Sequence, residues 1–210
     1  MKRLFNNDSP IWSFLSWLAD LSILNFFWLV CCIPVVTAGA STTALYRVTL
    51  NLADQRGSTV AKTFFSEFRS NFKQSTVVWL LILLASAVLC ADFILIWNWD
   101  GIAKMVLLGI FMFSVFIVLC VSAYIFPLIA YFDNTVKNLL KNALLLGIRH
   151  LPKTIVMIVL NVFPLLLFVF LPNLFVYIGF IWLLFGFSSI AYINSVLLLK
   201  IFKNLPAVSA

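Results

Sequence analysis

Acidic side chains close to tryptophan carry the most evident chemistry in this 210-residue chain. Asp92 and Asp100 flank Trp97, and Asp20 lies near the start of another long apolar stretch. Carboxylates accept hydrogen bonds from sugar hydroxyls, and aromatic rings stack on the CH face of a sugar. These four residues therefore form a candidate outer polar patch for carbohydrate. Tryptophan is also expected at any membrane interface, so simple anchoring is the favoured competing interpretation.

Other chemistry-bearing patterns are absent from the sequence. His150 is the single histidine, and the four cysteines lie in or beside apolar stretches. No P-loop, dinucleotide fingerprint, Ser-His-Asp set or zinc-type cluster is present. We therefore expect a protein that is not an enzyme and that needs no cofactor and no metal.

The elements that position these residues are apolar runs long enough to cross a bilayer. Hydrophobic residues make up 64% of the chain and charged residues 10%, whereas a soluble domain carries roughly 25% charged residues. The sequence predicts an all-α, polytopic transmembrane helix bundle forming a single integral membrane domain over residues 1–210. The predicted spans are residues 18–36, 75–97, 103–132, 154–171 and 174–199.

Basic residues predict the orientation of this bundle. Residues 41–73 and 133–153 contain nine of the fourteen Lys and Arg residues. Because basic loops stay inside, we expect these segments and the C-terminus in the cytoplasm of a bacterial cell, with the N-terminus outside. In the alternative, residues 10–33 form a hairpin or an interfacial helix that returns the N-terminus to the cytoplasm.

Both basic segments have the pattern of amphipathic helices. Phe64, Phe68 and Phe72 recur every four residues, and Lys73 follows on another face. Such helices lie at the inner membrane surface and contact anionic lipid headgroups, or they pack on the bundle. The net charge of +7 is explained by this contact, so no nucleic-acid partner is expected.

Each basic segment precedes a span in the same way, which indicates a possible parallel internal repeat. Residues 73–76 and 152–154 occupy equivalent points in two units, each with an entering span, an amphipathic helix and a returning span. A fifth span follows the second unit.

The end of the first span contains the most specific local motif. Pro34 removes a backbone donor, and Gly39 with nearby small hydroxylated residues permits a bend and close helix approach. We predict a kink stabilised by threonine and serine hydroxyls. This candidate structural or docking motif comprises Pro34, Thr37, Gly39, Thr43, Tyr46, Phe64, Phe68, Phe72 and Lys73. Asn25, Asn161 and Asn194 are expected to join helices by hydrogen bonds.

The same motif resembles the YesL-like family of bacterial integral membrane proteins. The resemblance is carried by residues 25–28, 33–40, 43–46 and 64–74. It implies a helical membrane protein without an established enzymatic activity or catalytic residues. Many members come from Gram-positive bacteria and are encoded beside sugar uptake systems and polysaccharide-degrading enzymes.

Together these features favour a non-enzymatic accessory or regulatory factor for carbohydrate uptake or polysaccharide utilisation. Its expected partners are the lipid bilayer and sugar-importer subunits or a sensor kinase, and a homo-oligomer is possible. The alternative is a small oligomeric transporter or channel. A membrane enzyme is a third hypothesis, for which only Asp20, Asp92 and Asp100 offer suitable groups.

Overall fold

The computed structural model describes residues 10–56, 59–170 and 172–204, and every regular element in these ranges is helical. A single 3-10 turn, Val35–Thr37, interrupts the helices near the start. The eight α-helices of the described residues are α1 Pro10–Cys32, α2 Ala38–Ala53, α3 Val60–Ser70, α4 Phe72–Trp97, α5 Ile102–Tyr131, α6 Val136–Arg149, α7 Leu151–Phe170 and α8 Pro172–Phe202.

Helices α1, α4, α5, α7 and α8 each contain a stretch long and apolar enough to cross a membrane. These stretches are Phe14–Cys32, Phe72–Trp97, Ile102–Tyr131, Leu151–Phe170 and Gly179–Phe202. At 1.5 Å per residue, even the shortest approaches the ~30 Å hydrocarbon core of a bilayer. The five predicted spans and the all-α class are thus confirmed, and the chain is a multi-pass membrane protein.

Helix α2 is a buried helix at the centre of the bundle, which the sequence analysis did not separate from the amphipathic segment 41–73. It packs against α1, α3, α4, α5 and α8. Its first turns are rich in small residues, including the buried Gly39, Ala40 and Ala44, so neighbouring helices approach closely. Only the later part of the segment, α3, is the expected amphipathic helix.

The chain reverses direction between α1 and α2, so Pro34 marks a hairpin turn rather than a kink. Contacts along α1 and α8 run in opposite order: Trp17 meets Tyr192, Leu21 meets Ser188, and Asn25 meets Leu183. Contacts along α2 and α8 run in the same order: Tyr46 meets Asn194, Thr49 meets Ser195, and Asp54 meets Lys203. Helix α1 is therefore antiparallel to both.

This hairpin changes the predicted relation between the two ends of the chain. The first turns of α1 lie at the same end of the bundle as the last turns of α8, whereas five predicted spans would leave the two termini on opposite sides. The reason is that α2 returns along α1 as a second long helix before the basic segment begins. The N-terminus itself lies outside the described residues.

The core occupies one end of the bundle, where α2, α3 and α6 meet the long helices. In α5 the buried residues run from Cys120 to Ala130, at the C-terminal end of the helix. We call this region the packed end, and the opposite region, around the α4–α5 link at residues 98–101, the far end.

The later parts of the two units proposed from the sequence, α3–α4 and α6–α7, correspond to each other, whereas α2 has no separate counterpart between α5 and α6. Helices α3 and α6 begin directly after Thr59 and Thr135 and lead into α4 and α7. The fourth residue of each following helix, Ser75 or Thr154, is a fully buried hydroxyl. Each hydroxyl bonds back to a preceding helix, Ser75 to α2 and Thr154 to α5.

Candidate functional site

The α1–α2 turn is held by side-chain hydroxyls, as the sequence analysis predicted. The Thr37 hydroxyl lies 2.6 Å from the Cys31 carbonyl oxygen and 2.7 Å from that of Pro34. The Ser41 hydroxyl donates to the Trp28 carbonyl at 3.1 Å. The Cys31 carbonyl is one of the last four of α1, which have no intrahelical partner, and the other two bonds hold the turn and tie it to the end of α1.

The start of α2 also fixes the position of α4. A Cβ atom on Gly39 would lie 2.5 Å from the Trp79 Cβ and 2.6 Å from the Ser75 carbonyl oxygen, so only glycine fits. One turn later, the hydroxyls of Thr43 and Ser75 are 2.8 Å apart and fully buried. Gly39 and Thr43 therefore act as a packing contact between the turn and the first membrane helix that follows it.

Tyr46 is the buried polar centre of the motif. The Asn194 amide donates to the Tyr46 hydroxyl at 3.3 Å and to the Asn161 Oδ1 at 3.1 Å. Burial raises the pKa of Tyr46, and the bond from Asn194 opposes part of that rise, so the phenol is neutral. The expectation that Asn161 and Asn194 join helices is confirmed, since this group connects α2, α7 and α8.

Asn25 joins α1 to α8 in the same manner. Its Nδ2 donates to the Leu183 carbonyl at 2.6 Å, and its Oδ1 accepts from the Ser188 backbone N–H at 3.0 Å. Both polar atoms of the fully buried amide are thus paired. This satisfaction explains why a polar residue is tolerated in the middle of an apolar helix.

Helix α3 and the first residues of α4 present two aromatic faces with different surroundings. Phe64 is fully buried and stacks on Phe68 at a centroid distance of 6.3 Å. Phe68 in turn meets Phe72 at 5.7 Å. Phe65 and Phe72 remain 49% and 38% exposed, and Arg69 and Lys73 border the hollow between them. The four-residue spacing thus describes a row that begins in the core and ends at the surface.

Three of the four residues of the predicted outer patch lie near one another at the far end, and Asp20 lies apart from them. Trp97 is 68% exposed at the far end, with the Lys104 ammonium 5.3 Å from its ring centroid. Asp92 and Asp100 are exposed near it. Asp20 differs from the prediction, because the α1–α2 hairpin places its part of α1 beside Tyr192, toward the packed end.

Arg47 joins three helices in a way that the sequence did not reveal. Its guanidinium donates to the Ala130 carbonyl at the end of α5 at 2.7 Å, and its Nε lies 3.5 Å from Glu67 on α3. A cation near a helix C-terminus is stabilised by the unpaired carbonyls and the helix dipole. The basic charge was visible in the sequence, but its partners are distant along the chain.

The end of α8 is fixed to the end of α2 by an ion cluster. Asp54 pairs with Lys203 at 2.5 Å and with Arg56 at 2.7 Å. The hydrogen bond from Lys203 is the largest influence that lowers the pKa of Asp54, and the nearby charges add to it. This cluster brings the C-terminal end of α8 to the packed end.

A second buried hydroxyl contact joins α5, α6 and α7. The hydroxyls of Tyr124 and Thr154 lie 2.9 Å apart, and the Thr154 hydroxyl also lies 2.9 Å from the Gly147 carbonyl. Thr154 stood at the repeat position in the sequence analysis, but its partner Tyr124 was missed because it lies on another helix. Gly147 allows this approach, since a Cβ there would be 3.2 Å from the Cys120 Cβ.

These contacts organise helices and do not converge as acid, base and nucleophile. Within residues 10–56, 59–170 and 172–204, no group of three or more His, Cys, Asp or Glu residues is placed to hold a metal ion. The arrangement defines a helical multi-pass membrane protein with a turn-centred packing motif.

Part of the chain, including this motif, is similar to known proteins. Residues 21–93 match a family model described as a protein of unknown function, DUF624. That range contains the turn motif, α2, α3 and most of α4. Over 164 residues the chain is 26% identical to the uncharacterized protein YteU of Bacillus subtilis (strain 168), covering 76% of this chain and 73% of that protein. No solved structure matches the chain.

Proposed function

We propose that this protein is a non-enzymatic accessory or regulatory factor of the bacterial cell membrane, which docks a partner through α3. The proposal is supported by the two faces of this helix, one buried in the core and one exposed. Its Phe64 face completes the core, while Phe65 and Arg69 form a second apolar and basic surface together with Phe72 and Lys73 from the start of α4. The core contacts account for only one of these two faces.

Helix α6 supports the same interpretation on the second repeat unit. Leu139 and Ala143 face the core, while Leu145 and Ile148 are 59% and 57% exposed. Exposed apolar residues beside lysine and arginine suit contact with anionic headgroups or with a membrane partner. The protein therefore offers two comparable surfaces at the packed end.

The orientation that fits both helices places the packed end in the cytoplasm. Lys200 of α8 and Lys203 just after it lie at this end with the basic residues of α3 and α6. At the far end, Lys104 is the basic residue of the α4–α5 link region. Under the positive-inside rule, we infer that the start of α1 and the end of α8 both face the cytoplasm.

Reporter fusions test this topology. We expect a fluorescent protein to fluoresce and alkaline phosphatase to be inactive when either is fused to the N-terminus or the C-terminus. Alkaline phosphatase inserted at residues 98–101 should be active, because that link is then outside the cell. An active phosphatase at the N-terminus would contradict the proposed arrangement and restore the opposite-side topology.

The association with carbohydrate uptake rests on the resemblance to the YesL-like family. We infer that the partner is a sugar-importer subunit or a membrane sensor kinase. Affinity purification at native expression level, in mild detergent, from cells grown with and without complex carbohydrate tests this role. We expect stoichiometric recovery of such a partner during growth on carbohydrate.

A pair of variants connects that experiment to the proposed surface. Phe65→Ala with Phe72→Ala should abolish recovery of the partner, because both rings are exposed and neither completes the buried part of the core. Phe113→Ala with Phe170→Ala removes two exposed rings from other helices and serves as the matched control. Equal recovery with both variants would reject α3 as the docking surface, and recovery of the protein alone would reject the accessory role.

A second candidate function is a small oligomeric transporter or channel. The polar group of Tyr46, Asn161 and Asn194 favours it, because amides in the middle of membrane helices can line a path for polar solutes. Flux of labelled sugars into liposomes containing the purified protein tests this candidate. Flux equal to that of empty liposomes would reject it.

A further inference from the structure

A crevice between α7 and the α1–α2–α8 group has the composition of a binding site. Its volume is about 110 Å³. Aromatic rings of Trp28, Tyr46 and Phe187 form much of its wall, and Thr42 and Asn161 contribute polar atoms. A cavity needs only about 10–15 Å³ of such volume to hold one water molecule, so the crevice has room for a small polar group.

The polar atoms around the crevice retain unused hydrogen-bonding capacity. Asn194 does not line the crevice but bonds to two residues that do: it is fully buried and donates to Tyr46 and Asn161, while its Oδ1 has no partner among the described residues. The Tyr46 hydroxyl accepts in this contact, which leaves its own hydrogen to donate. Asn161 contributes its oxygen, which leaves its NH₂ group to donate. A hydroxyl group, both donor and acceptor, complements this set.

The position of Asn161 indicates from which side such a group arrives. It is the eleventh of the twenty residues of α7, and its side chain is exposed between apolar neighbours. Pro164 has no N–H and therefore withholds the usual hydrogen bond from the Leu160 carbonyl. Polar groups facing hydrocarbon are costly, so this face of α7 favours a polar group that comes from the membrane side.

We propose that this crevice binds an uncharged, hydroxyl-bearing group carried by a neutral membrane lipid, which enters sideways beside Asn161. No Lys, Arg, Asp or Glu lines the crevice, so a charged headgroup would be buried there without a counter-ion. The rings of Trp28 and Phe187, with centroids 4.6 Å apart, form an apolar wall beside the hydroxyl sites. The inference does not depend on the docking role of α3.

Thermal unfolding in lipid nanodiscs tests the site with defined probes. Dioctanoylglycerol should raise the midpoint of the wild-type protein by about 3–5 °C when it exceeds its dissociation constant tenfold. Dioctanoylphosphatidylglycerol, which carries a charged headgroup, should not. Tyr46→Phe keeps the ring and removes one donor, so binding should weaken about tenfold. Tyr192→Phe is the matched control, because Tyr192 contacts Trp17 instead of the crevice.

Asn161→Leu provides a second test on the exposed side of the crevice, and it also removes one of the two acceptors of the Asn194 amide. It should also weaken the response to dioctanoylglycerol. If free glycerol at equal concentration stabilises the wild type as strongly, the crevice binds a hydroxyl group as proposed, but its ligand comes from water and is not a membrane lipid. The proposal is overturned if neither probe stabilises the protein, or if Tyr46→Phe responds like the wild type. It is also overturned if Asn161→Leu only converts a dimer into a monomer, because a second copy then covers this face.

Discussion

The packed end and the far end are built from equally apolar helices, yet they are organised differently. In the packed half of α5, Tyr124 and Leu128 are 0% and 1% exposed. In the far half of the same helix, Met105 and Phe113 are 76% and 65% exposed. Hydrophobicity alone therefore does not determine which half of a membrane helix forms the core.

The difference lies in small and polar residues. Gly39, Thr43, Asn25 and Tyr124 all make their interhelical contacts at or toward the packed end. Lipid tails are as apolar as leucine, so close packing and hydrogen bonds drive association between membrane helices. The far end lacks comparable contacts in its described residues and presents its apolar side chains outward. Close contacts at small residues and interhelical hydrogen bonds, and not apolar content, therefore define the core.

Changing a glycine should have the largest effect, and only at the packed end. Gly39→Ala places a Cβ 2.5 Å from the Trp79 Cβ and 2.6 Å from a backbone oxygen, so we expect a loss of about 3 kcal/mol in the free energy of unfolding. Gly109→Ala on the far half of α5 meets no atom within 4 Å and should be neutral. Unfolding by a denaturing detergent in mixed micelles measures both. Similar losses at both positions would remove the distinction between the two ends.

Removing a buried hydroxyl should have an intermediate effect. Thr43→Val keeps the side-chain shape but leaves the fully buried Ser75 hydroxyl without its partner, which we expect to cost about 1–2 kcal/mol. Ser114→Ala on the far half of α5 removes a hydroxyl bonded only within its own helix, so a change below about 0.5 kcal/mol is expected.

The double variant Thr43→Val with Ser75→Ala sharpens this test. Removing both partners should recover part of the lost stability, because no unpaired buried hydroxyl remains. If instead the losses simply add, the contact between the two hydroxyls contributes nothing specific.

The smallest effect is expected from pH at the Asp54–Lys203 pair. Because the folded-state pKa of Asp54 is lowered, the pair stabilises the protein above the ordinary carboxyl pKa of about 4 and loses this contribution as the pH falls below it. The thermal midpoint of the wild type should exceed that of Asp54→Asn at pH 7, and the difference should shrink toward pH 3. A constant difference across this range would show that the charge of Asp54 is not responsible.

Hydrophobic patterning predicted the spans, because a helix that crosses a bilayer must keep its apolar run uninterrupted over a fixed length. The hydroxyl-stabilised break at Pro34 was also predictable, since its chemistry is local. Burial of α2 was not predictable. Its basic Arg47 and its threonines fit a surface segment until their partners on α3, α4, α5 and α8 are known.

In the candidate sites too, the local features were predictable from the sequence, and the positions that depend on other helices were not. The spacing of Phe64, Phe68 and Phe72 identified the aromatic row, but only the structure separates the buried first ring from the exposed last one. A position for Asp20 at the level of Trp97 requires that the chain pass straight from the first span to the second. The hairpin turn places Asp20 elsewhere.

By itself, the sequence determined the class of protein, the lengths of its membrane helices and the excess of basic residues beside them. These properties follow from composition and periodicity, which depend only on the residues of each segment and not on the helices packed against it. The tertiary structure alone decided that α1 and α2 form a hairpin, that Tyr46 meets Asn194, and that α5 is buried at one end only. Each of these depends on atoms far apart in the chain, whose pairing is set by close packing and hydrogen-bond geometry.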